Sequence, residues 1–499
     1  MSTQTRRPIR KVLIANRGEI AVRIIRGCHE RGLDTVAVFS EADRTALHVR
    51  MAREAVCIGP APSSESYLRA DRILDVAAST GADAVHPGYG FLSENADFAR
   101  AVSAAGLVWI GPPPSAIDAM GSKTASRELM KAAGVPIVPG TTAPLMTVEE
   151  AERVAADIGY PVMLKAAAGG GGKGMRRVMH ADELAGAFRA ARSEAASSFG
   201  DDAVYIEKLI LNPRHIEVQV LSDAHGHHVH LFERDCSIQR RNQKVVEETP
   251  CPVLADATRQ AMAAVAVQAA KAVNYEGAGT VEFMYGSDGS FYFLEMNTRL
   301  QVEHPITEMV TGVDLVHAQL RVAQGEPLWF AQEDLSQRGH AIELRVYAED
   351  PGANWAPSPG LLQGYREPTG PWVRVDGGMY EGAEVPIHYD PMIAKLVVWG
   401  EDRGAAIGRA ARALREYRIR GVRTSIPFFR ALLEDPDFVS GDYTTGYLDE
   451  DRMERLTTSE RFDDVAVIAA AVAALERDHR AKPRADGGGR GSRWKWSLR

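Results

Sequence analysis

Acidic and amide side chains alternate with apolar ones along residues 291–304, and the alternation separates two kinds of chemistry. In an extended segment, successive side chains point to opposite faces. The apolar face would carry Leu294, Met296, Leu300 and Val302, and the polar face Glu295, Asn297, Arg299, Gln301 and Glu303. We therefore expect one face of this strand in the core and the other in a polar site.

A second strand precedes this one, and the turn between them predicts how the two pair. Residues 279–285 read as a strand, and Asp288-Gly289 is a strong signal for a two-residue hairpin turn. With that turn, the two flanking serines pair, and Glu282 lies opposite Glu295 with Cβ atoms about 5 Å apart. Two facing carboxylates and the amide of Asn297 suit Mg²⁺, so we predict a metal site here. The alternative is a solvated edge hairpin with an accidental row of charges.

Composition narrows the class of protein. The chain has 499 residues, 45% of them hydrophobic and 25% charged, which is enough for several globular domains. Its formal net charge of −8 argues against a general nucleic-acid binder, because such proteins are basic. Four scattered cysteines favour a reducing compartment, and the longest apolar run is too short to span a bilayer. We expect a cytoplasmic protein with no membrane segment.

Strands alternate with helical patterns in the N-terminal part of the chain, which predicts a parallel sheet covered on both faces. No Gly-x-Gly-x-x-Gly follows the first strand, so a dinucleotide fingerprint is absent from the sequence. Residues 86–95, His-Pro-Gly-Tyr-Gly-Phe-Leu-Ser-Glu-Asn, follow a strand and open a helix. They could line a ligand cleft at the strand ends, or equally form a structural turn. The predicted strands lie near 11–15, 35–40, 54–58, 83–86 and 107–110.

A glycine-rich loop joins two further predicted strands. Four consecutive glycines at 169–172 would let the backbone approach a polyphosphate, and Lys165 and Lys173 flank them. The pattern is not that of a P-loop, and Met175–Val178 reads as a strand rather than a helix. We predict a mobile glycine flap between two strands; the alternative is a flexible linker.

Residues 341–351 alternate in the same way as the central hairpin. Glu343, Arg345 and Tyr347 would share one side of this strand, which makes Arg345 a candidate for the same polar site. The pattern alone supports a surface position for Arg345 equally well.

Six segments together give the chain a resemblance to biotin carboxylase, the ATP-grasp component of acyl-CoA and pyruvate carboxylases. The resemblance runs from about Ile9 to about Asp449. The segments are Ala-Asn-Arg-Gly-Glu-Ile-Ala at 15–21, the motif at 86–95, the glycine flap at 169–174, Gln-Arg-Arg-Asn-Gln-Lys-Val-Val-Glu-Glu at 239–248, Glu-Met-Asn-Thr-Arg-Leu-Gln-Val-Glu-His at 295–304, and Tyr-Asp-Pro-Met-Ile-Ala-Lys-Leu at 389–396. One departure is Asn242, where the family often has His.

The resemblance implies an α/β and α+β fold in three parts. These are a Rossmann-like, pre-ATP-grasp domain at 1–112, an ATP-grasp domain at 113–335 with a mobile glycine-rich flap subdomain at about 138–209, and a C-terminal biotin carboxylase domain at 336–452. A helical and Gly/Arg-rich tail follows at 453–499, which could dock a partner or be a frayed end.

The resemblance also implies roles for individual residues. The catalytic set would be Glu303 as the base, Arg299, Arg345 and Lys244, with bicarbonate and biotin held by Arg299, Gln301, Val302 and Arg345. The metal ligands would be Glu282, Glu295 and Asn297, binding Mg²⁺ or Mn²⁺. ATP would contact Lys123, Lys165, Gly170, Gly171, Gly172, Glu207, Lys208, Ile210, His215, Gln239 and Met284.

The implied activity is carboxylation of biotin by bicarbonate, driven by ATP. No Met-Lys-Met attachment sequence occurs in the chain, so we expect biotin on a separate carrier protein, with separate carboxyltransferase subunits. Acetyl-CoA is the expected final acceptor, and propionyl-CoA or pyruvate are alternatives. A homodimer is also implied, with contacts around Arg23, Arg26 and Asp390. Rival interpretations are another ATP-grasp carboxylate or carbamate ligase and a non-catalytic nucleotide-binding subunit.

Overall fold

The computed structural model describes residues 8–141, 143–166, 175–199, 202–458 and 467–475. The first five strands are β1 (Lys11–Ile14), β2 (Asp34–Ser40), β3 (Glu54–Gly59), β4 (Ala84–His86) and β5 (Val108–Trp109). They form a parallel sheet in the order β3-β2-β1-β4-β5, which confirms the predicted class. Val12 and Ile14 enter one core and Leu13 and Ala15 another, because alternate side chains face the helices on opposite sides. The helices are α1 (Gly18–Glu30), α2 (Leu47–Met51), α3 (Ala70–Thr80), α4 (Ala96–Ala104), α5 (Pro114–Gly121) and α6 (Lys123–Ala132).

A small antiparallel sheet follows, and its elements are α7 (Val148–Ile158), β6 (Val162–Ala166), β7 (Met175–Val178), α8 (Ala181–Phe199) and β8 (Val204–Lys208). The strand order is β7-β6-β8, and Leu164, Phe188 and Ile206 share a core between sheet and helices. β7 is a strand, as predicted. The glycines of the predicted flap lie between β6 and β7, outside the described residues.

An eight-stranded antiparallel sheet holds eight of the predicted site residues. Its strands are β9 (Arg214–Ser222), β10 (His228–Arg240), β11 (Gln243–Thr249), β12 (Gly277–Tyr285), β13 (Phe291–Asn297), β14 (His340–Tyr347), β19 (Val373–Gly377) and β21 (Met392–Gly400). The order is β13-β12-β9-β10-β11-β14-β21-β19. The sheet runs continuously across the predicted boundary between residues 335 and 336, and the domain boundaries remain a prediction.

Helices α9 (Asp256–Ala272), α10 (His304–Thr311) and α11 (Leu315–Ala323) pack on this sheet and on its neighbours. Leu315 of α11 shares a core with Ile14, Ile24 and Leu221, so the N-terminal sheet and the large sheet are joined by buried apolar surface. The remaining elements are β15 (Glu349–Asp350), β16 (Ala356–Pro357), β17 (Gly360–Leu361), β18 (Gly364–Arg366), β20 (Glu384–Val385), β22 (Arg418–Arg420), α12 (Arg403–Glu416), α13 (Ile426–Leu432), α14 (Pro436–Ser440) and α15 (Glu450–Thr458).

The central hairpin has the predicted carboxylate pairing but not the predicted turn. Glu282 pairs with Glu295, as expected. The turn, however, has three residues between Gly286 and Ser290, with Gly289 at a φ of +83°, and this shifts the register by one residue. A β-bulge at Leu294 then restores the expected pairing.

The bulge also corrects the predicted faces of the strand. Leu294, which was expected in the core, is 39% exposed, whereas Phe293 and Met296 share a core on either side of the bulge. β13 ends at Asn297, so the strict alternation does not continue to Glu303. Residues 298–303 reach the polar site through a loop instead of an extended strand.

None of the helices in the described part of the chain has the length and apolar character needed to cross a membrane.

Candidate functional site

One lysine lies at the centre of a buried group of carboxylates. Lys244 Nζ donates to Glu217 at 2.5 Å, to Glu282 at 2.8 Å and to Glu303 at 2.6 Å. Glu217 comes from β9, Glu282 from β12 and Glu303 from the end of the loop after β13. Three segments that are distant in sequence therefore meet at one ammonium group.

Strand register aligns the charged residues in a row across four strands. Arg234 of β10 lies beside Glu217 of β9, which lies beside Glu282 of β12, which pairs with Glu295 of β13. The row therefore consists of one cation followed by three carboxylates, the last two of which face each other across the hairpin. Lys244 joins this row because one extra residue at Val245 interrupts the pairing of β11 with β10.

Arg234 was not singled out by sequence reasoning, yet it organises the site. It donates to Glu217 at 2.6 Å and to Gln301 at 2.7 Å, and Gln301 in turn donates to Glu282 at 2.8 Å. The same guanidinium also contacts Gln219, Thr280 and Thr307 and is fully buried. Its signal in the sequence was a charged residue inside an otherwise buried strand.

Charge interactions decide the protonation of the two central groups. Burial would raise the pKa of Glu303, but Lys244, Arg345 and Arg234 outweigh burial and hold that pKa well below the usual range. Burial would lower the pKa of Lys244, and Glu217, Glu282 and Glu303 raise it well above its ordinary value. Glu303 is therefore a carboxylate and Lys244 an ammonium at neutral pH.

Arg345 meets the site from β14, as its alternation predicted. Its guanidinium donates to Glu247 at 2.6 Å and to Glu303 at 3.0 Å. Lys395 of β21, the strand beside β14 in the sheet, donates to the carbonyl oxygen of Val302 at 2.8 Å, which fixes the loop that carries Glu303. The alternative surface position for Arg345 is wrong, since the residue is buried.

A cavity of about 430 Å³ opens beside these groups. Its lining includes Arg299, Val302 and Arg345, residues that follow β1 and β4 of the N-terminal sheet, and the segment before β21. Tyr89 and Phe91 belong to the motif at 86–95, so this motif lines a cavity, and its role in ligand binding stays a prediction. The other lining residues include Asn16, Arg17, Glu19, His388, Tyr389, Asp390 and Met392.

Arg299 lines this cavity, and the side-chain oxygens of Glu94 and Asn297 hold it in place. Its Nε donates to Glu94 at 2.8 Å and its Nη2 to Asn297 at 2.9 Å. Glu94 was missed as a site residue, although it stands in the quoted motif at 86–95. The sequence carries no signal for this pair because Glu94 and Arg299 are 205 residues apart.

The predicted metal ligands have different surroundings. Glu282 is buried, accepts from Asn297 at 2.8 Å, and has His215 Nε2 at 3.1 Å, whereas Glu295 is exposed. The two carboxylates are paired across the hairpin, so both could contribute oxygen ligands to one metal site. This donor set of carboxylates with a nearby amide fits Mg²⁺ or Mn²⁺.

The predicted ATP residues fall into two groups. His215 pairs with Met284 across β9 and β12, beside the central site, and Gln239 donates to the carbonyl of Cys236 at 2.9 Å. Glu207, on the small sheet, is instead paired with Lys165 and with Arg127, which sequence reasoning missed.

Of the other predicted ATP residues, the structure describes the surroundings of Lys208 and Ile210 only. Lys208 donates to the carbonyls of Gly159 at 2.9 Å and Tyr160 at 3.0 Å, and Ile210 is half-buried nearby in sequence. Gly170, Gly171, Gly172 and the side chain of Lys123 lie outside the described residues.

Two further expectations are clarified by the structure. Asn242 lies in a two-residue turn between β10 and β11, where Arg241 and Asn242 have φ values of 50° and 65°. Asn tolerates this left-handed conformation, which accounts for its presence there.

Arg23, expected at a dimer contact, is buried within the chain against Glu308 and Asp314, whereas Arg26 is exposed.

Three family models match consecutive parts of the chain. The biotin carboxylase N-terminal domain matches residues 8–117, the carbamoyl-phosphate synthase L chain ATP-binding domain residues 122–330, and the biotin carboxylase C-terminal domain residues 343–450. Together these matches cover nearly all of the region in which the site residues lie.

Known proteins resemble the chain over most of its length. The biotin carboxylase of a Nostoc species is 53% identical over 440 residues, which are 88% of this chain and 98% of that protein. A pyruvate carboxylase component from Methanothermobacter thermautotrophicus is 55% identical over 442 residues, with coverage of 89% and 90%. A solved structure of the biotin carboxylase domain dimer of Hydrogenobacter thermophilus 2-oxoglutarate carboxylase, in complex with MgADP, ADP and bicarbonate, has a TM-score of 0.82 and 49% identity, with coverage of 90% and 99%. The chain therefore belongs to the biotin carboxylase family and is an ATP-dependent ligase.

Proposed function

We propose that this chain carboxylates the biotin of a carrier protein with bicarbonate and ATP, through carboxyphosphate, as the first half-reaction of an acyl-CoA carboxylase. One observation carries the proposal: Glu303, an ionised carboxylate, lies between Lys244 and Arg345, and Arg345 lines the cavity. Such a group can accept a proton from an anion that Arg345 and Arg299 hold nearby.

Glu303 acts as the general base in this scheme. Bicarbonate is a poor nucleophile until it loses its remaining proton, which passes to Glu303. The freed oxygen then attacks the γ-phosphorus of ATP, ADP leaves, and carboxyphosphate results. Lys244 and Arg345 keep Glu303 ionised beforehand, so the base is ready at neutral pH.

Arg299, Gln301 and Val302 form the bicarbonate pocket. The Arg299 side chain is positioned by Glu94 and Asn297, so its guanidinium is oriented before the anion arrives. Two parallel N–H groups of a guanidinium can hold a planar carboxylate-like anion and offset its developing charge. The loop position of Val302 is set by Lys395.

Arg345 acts in the second step. Carboxyphosphate breaks down to CO₂ and phosphate, and the phosphate takes the proton of the biotin ureido nitrogen, which then attacks CO₂. The ureido oxygen becomes negative in this step. A buried guanidinium that lines the cavity stabilises that charge electrostatically.

ATP lies, in this proposal, between the small sheet and the large one. Lys123, Lys165, Gly170, Gly171, Gly172, His215, Gln239 and Met284 would contact the nucleotide, with Glu207, Lys208 and Ile210 at its adenine edge. Mg²⁺ or Mn²⁺ would be held by Glu282 and Glu295, with Asn297 in support, and would supply charge neutralisation for the polyphosphate.

The final acceptor is the least constrained part of the proposal. We propose acetyl-CoA, with a carrier protein and carboxyltransferase subunits as partners and a homodimer as the working assembly. The relatives named above include parts of a pyruvate carboxylase and of a 2-oxoglutarate carboxylase, so other acceptors are alternatives. Purification of the native complex, followed by assay with acetyl-CoA, propionyl-CoA and pyruvate, distinguishes them.

The division of labour between Glu303 and Arg345 provides the test. Glu303→Gln should retain ATP affinity, but its rate of bicarbonate-dependent ATP cleavage should fall by about a hundredfold or more. General base catalysis usually contributes at least that factor to the rate. Arg345→Gln should retain ATP cleavage better than biotin carboxylation. ATP binding, phosphate release and carboxybiotin formation are measured for each variant, with the exposed Glu401→Gln as control.

Two outcomes would contradict the assignment. One is carboxylation at the parent rate by Glu303→Gln. The other is loss of both activities in strict proportion in Arg345→Gln, which would mean that Arg345 has no separate role in the biotin step.

A further inference from the structure

Two buried glutamates face each other directly behind Arg345. Glu247 of β11 and Glu343 of β14 are paired in the ladder, and both are fully buried. Neither carboxylate oxygen of Glu343, and only one of Glu247, has a hydrogen-bond partner among the residues that the structure describes. Two ionised carboxylates in these positions would repel each other in a region of low dielectric.

The charges of the buried group around Glu247 and Glu343 also argue against two ionised carboxylates here. Within the described residues it contains five carboxylates, of which all but Glu343 are bonded to cations. Three cations take part in these bonds, and a protonated His215 beside Glu282 would be the fourth. One carboxylate therefore remains without a compensating charge. The carboxylates are Glu217, Glu247, Glu282, Glu303 and Glu343, and the three cations are Arg234, Lys244 and Arg345.

Neighbouring strands do not supply the missing cation. Lys395 of β21 is the cation that acts most strongly on Glu343, ahead of Arg345, but its Nζ already lies 3.2 Å from Glu19 and 4.0 Å from Asp376. Asp376, on β19, is itself paired with Arg374.

Helix α10, which packs on β14 and β21, does not supply a cation for Glu343 either. Burial holds the pKa of His304 well below its usual range, so this ring is neutral, and Glu308 is paired with Arg23 and Arg374. On the other side of the pair, β10 contributes Cys236, and burial raises the pKa of its thiol so that it stays protonated.

We propose that Glu247 and Glu343 together hold one proton, and that this half-neutralised pair positions Arg345 between Glu247 and Glu303. Both are positioning residues, since neither lines the cavity. The inference rests on the proposed role of Arg345. It adds a device that sets how much positive charge Arg345 presents to the reaction.

The consequence for catalysis follows from the geometry. With one proton on the pair, Arg345 is balanced by Glu247 and Glu303 alone. A second negative charge behind it would draw the guanidinium away from the cavity and raise the proton affinity of Glu303. In agreement, burial raises the pKa of Glu247 to about 7, and burial with the nearby Glu247 raises the pKa of Glu343 well above its usual range.

Infrared spectroscopy of the substrate-free enzyme tests the shared proton directly. The parent protein should show the C=O stretching band of a buried protonated carboxylic acid, which shifts when glutamate is labelled with ¹³C. Glu343→Gln places a neutral amide where the protonated acid stood, so this band should disappear. If the parent lacks the band, or if it survives in both Glu343→Gln and Glu247→Gln, the proposal is overturned.

Kinetics test the link to Arg345. Glu343→Gln should carboxylate biotin within about threefold of the parent at neutral pH, because an isosteric neutral group keeps the geometry. Its activity should also persist to higher pH, since no proton can be lost from the pair. Glu247→Gln should lose about tenfold or more, because it removes a partner of Arg345. Equal losses in both variants, with an unchanged alkaline limb, would refute the positioning role.

The two measurements separate this inference from the proposed function. The infrared band requires no turnover, so it reports on the shared proton even if Arg345 has another task. Presence of the band together with turnover that responds to neither substitution would refute the role of Arg345 while leaving the proton assignment intact.

Discussion

Glu282 and Glu295 show how two identical side chains in one pair acquire different physical roles. Glu282 is enclosed by Lys244, Asn297, Gln301 and His215, so its charge is part of the folded structure. Glu295 lies on the edge strand and is exposed. Metal affinity should therefore depend on both carboxylates, whereas stability should depend mainly on Glu282.

Substitution of each carboxylate tests this difference. Glu282→Gln and Glu295→Gln should each raise the Mg²⁺ concentration needed for half-maximal ATP turnover by at least about tenfold, because each removes a negative ligand. Only Glu282→Gln should also lower the unfolding midpoint, since removing one partner of a buried ion pair costs about 3 kcal/mol. Mg²⁺ titration and thermal unfolding measure the two effects, with exposed Glu434→Gln as control. An unchanged Mg²⁺ requirement in both variants would remove this pair from the metal site.

Which site residues could be predicted depended on how far apart their partners lie in the sequence. Glu282, Glu295 and Asn297 belong to one hairpin, so alternation and a turn signal were enough. The bond of Lys244 to Glu303 joins residues 59 apart, and that of Arg299 to Glu94 joins residues 205 apart. No local pattern encodes such pairs, and Arg234 was missed for the same reason. The resemblance supplied Lys244 and the roles of Arg299 and Glu303, but not their contacts.

At the scale of elements, β-bulges align the site. The extra residue at Leu294 compensates for a turn that is one residue longer than predicted, so that Glu282 and Glu295 still pair. The sequence contained the signal for the glycine at the turn but not for the loop length, because Asp-Gly is compatible with two- and three-residue loops. The bulge could not be foreseen, since only the packing of Phe293 and Met296 on one core requires it.

Deletion of Leu294 tests what the bulge contributes. The deletion should leave Phe293 and Met296 in the core, because alternation would then be regular, and the protein should still fold. It should change the direction of the Glu295 carboxylate and raise the Mg²⁺ requirement for ATP turnover about tenfold or more. Leu294→Ala, which keeps the bulge, should change stability by less than about 0.5 kcal/mol. If the deletion variant has the Mg²⁺ requirement of the parent, the bulge does not position this carboxylate.

At the scale of the whole molecule, Glu248 ties the large sheet to the C-terminal helices. It accepts from His340 at 2.6 Å and from Arg403 of α12 at 2.7 Å, and it contacts Tyr443. Burial opposes its ionisation, but His340 and Arg403 outweigh burial and lower its pKa from 4.5 to about 2. Because the folded pKa is the lower one, Glu248 stabilises the protein above the unfolded pKa, and this stabilisation is lost as the pH falls toward 2.

The shift corresponds to about 3 kcal/mol at neutral pH. Glu248→Gln should therefore lower the free energy of unfolding by about that amount at pH 7, and the difference from the parent should shrink below about pH 4. Denaturant midpoints measured for both proteins at several pH values check the prediction. A difference that stays constant over this range would show that the charge of Glu248 does not stabilise the fold.

The cavity beside Arg345 is built from both ends of the chain, and this has a consequence for synthesis. Asn16 and Tyr89 lie on one side of it, and Tyr389 and Met392 on the other. Lys395, which secures the loop at Val302 and lies beside Glu19, emerges later still. The N-terminal sheet can fold while translation continues, since domains fold as units. Nascent chains shorter than about β21 therefore lack a complete site, so the ribosome releases no catalytic activity until most of the polypeptide has been made.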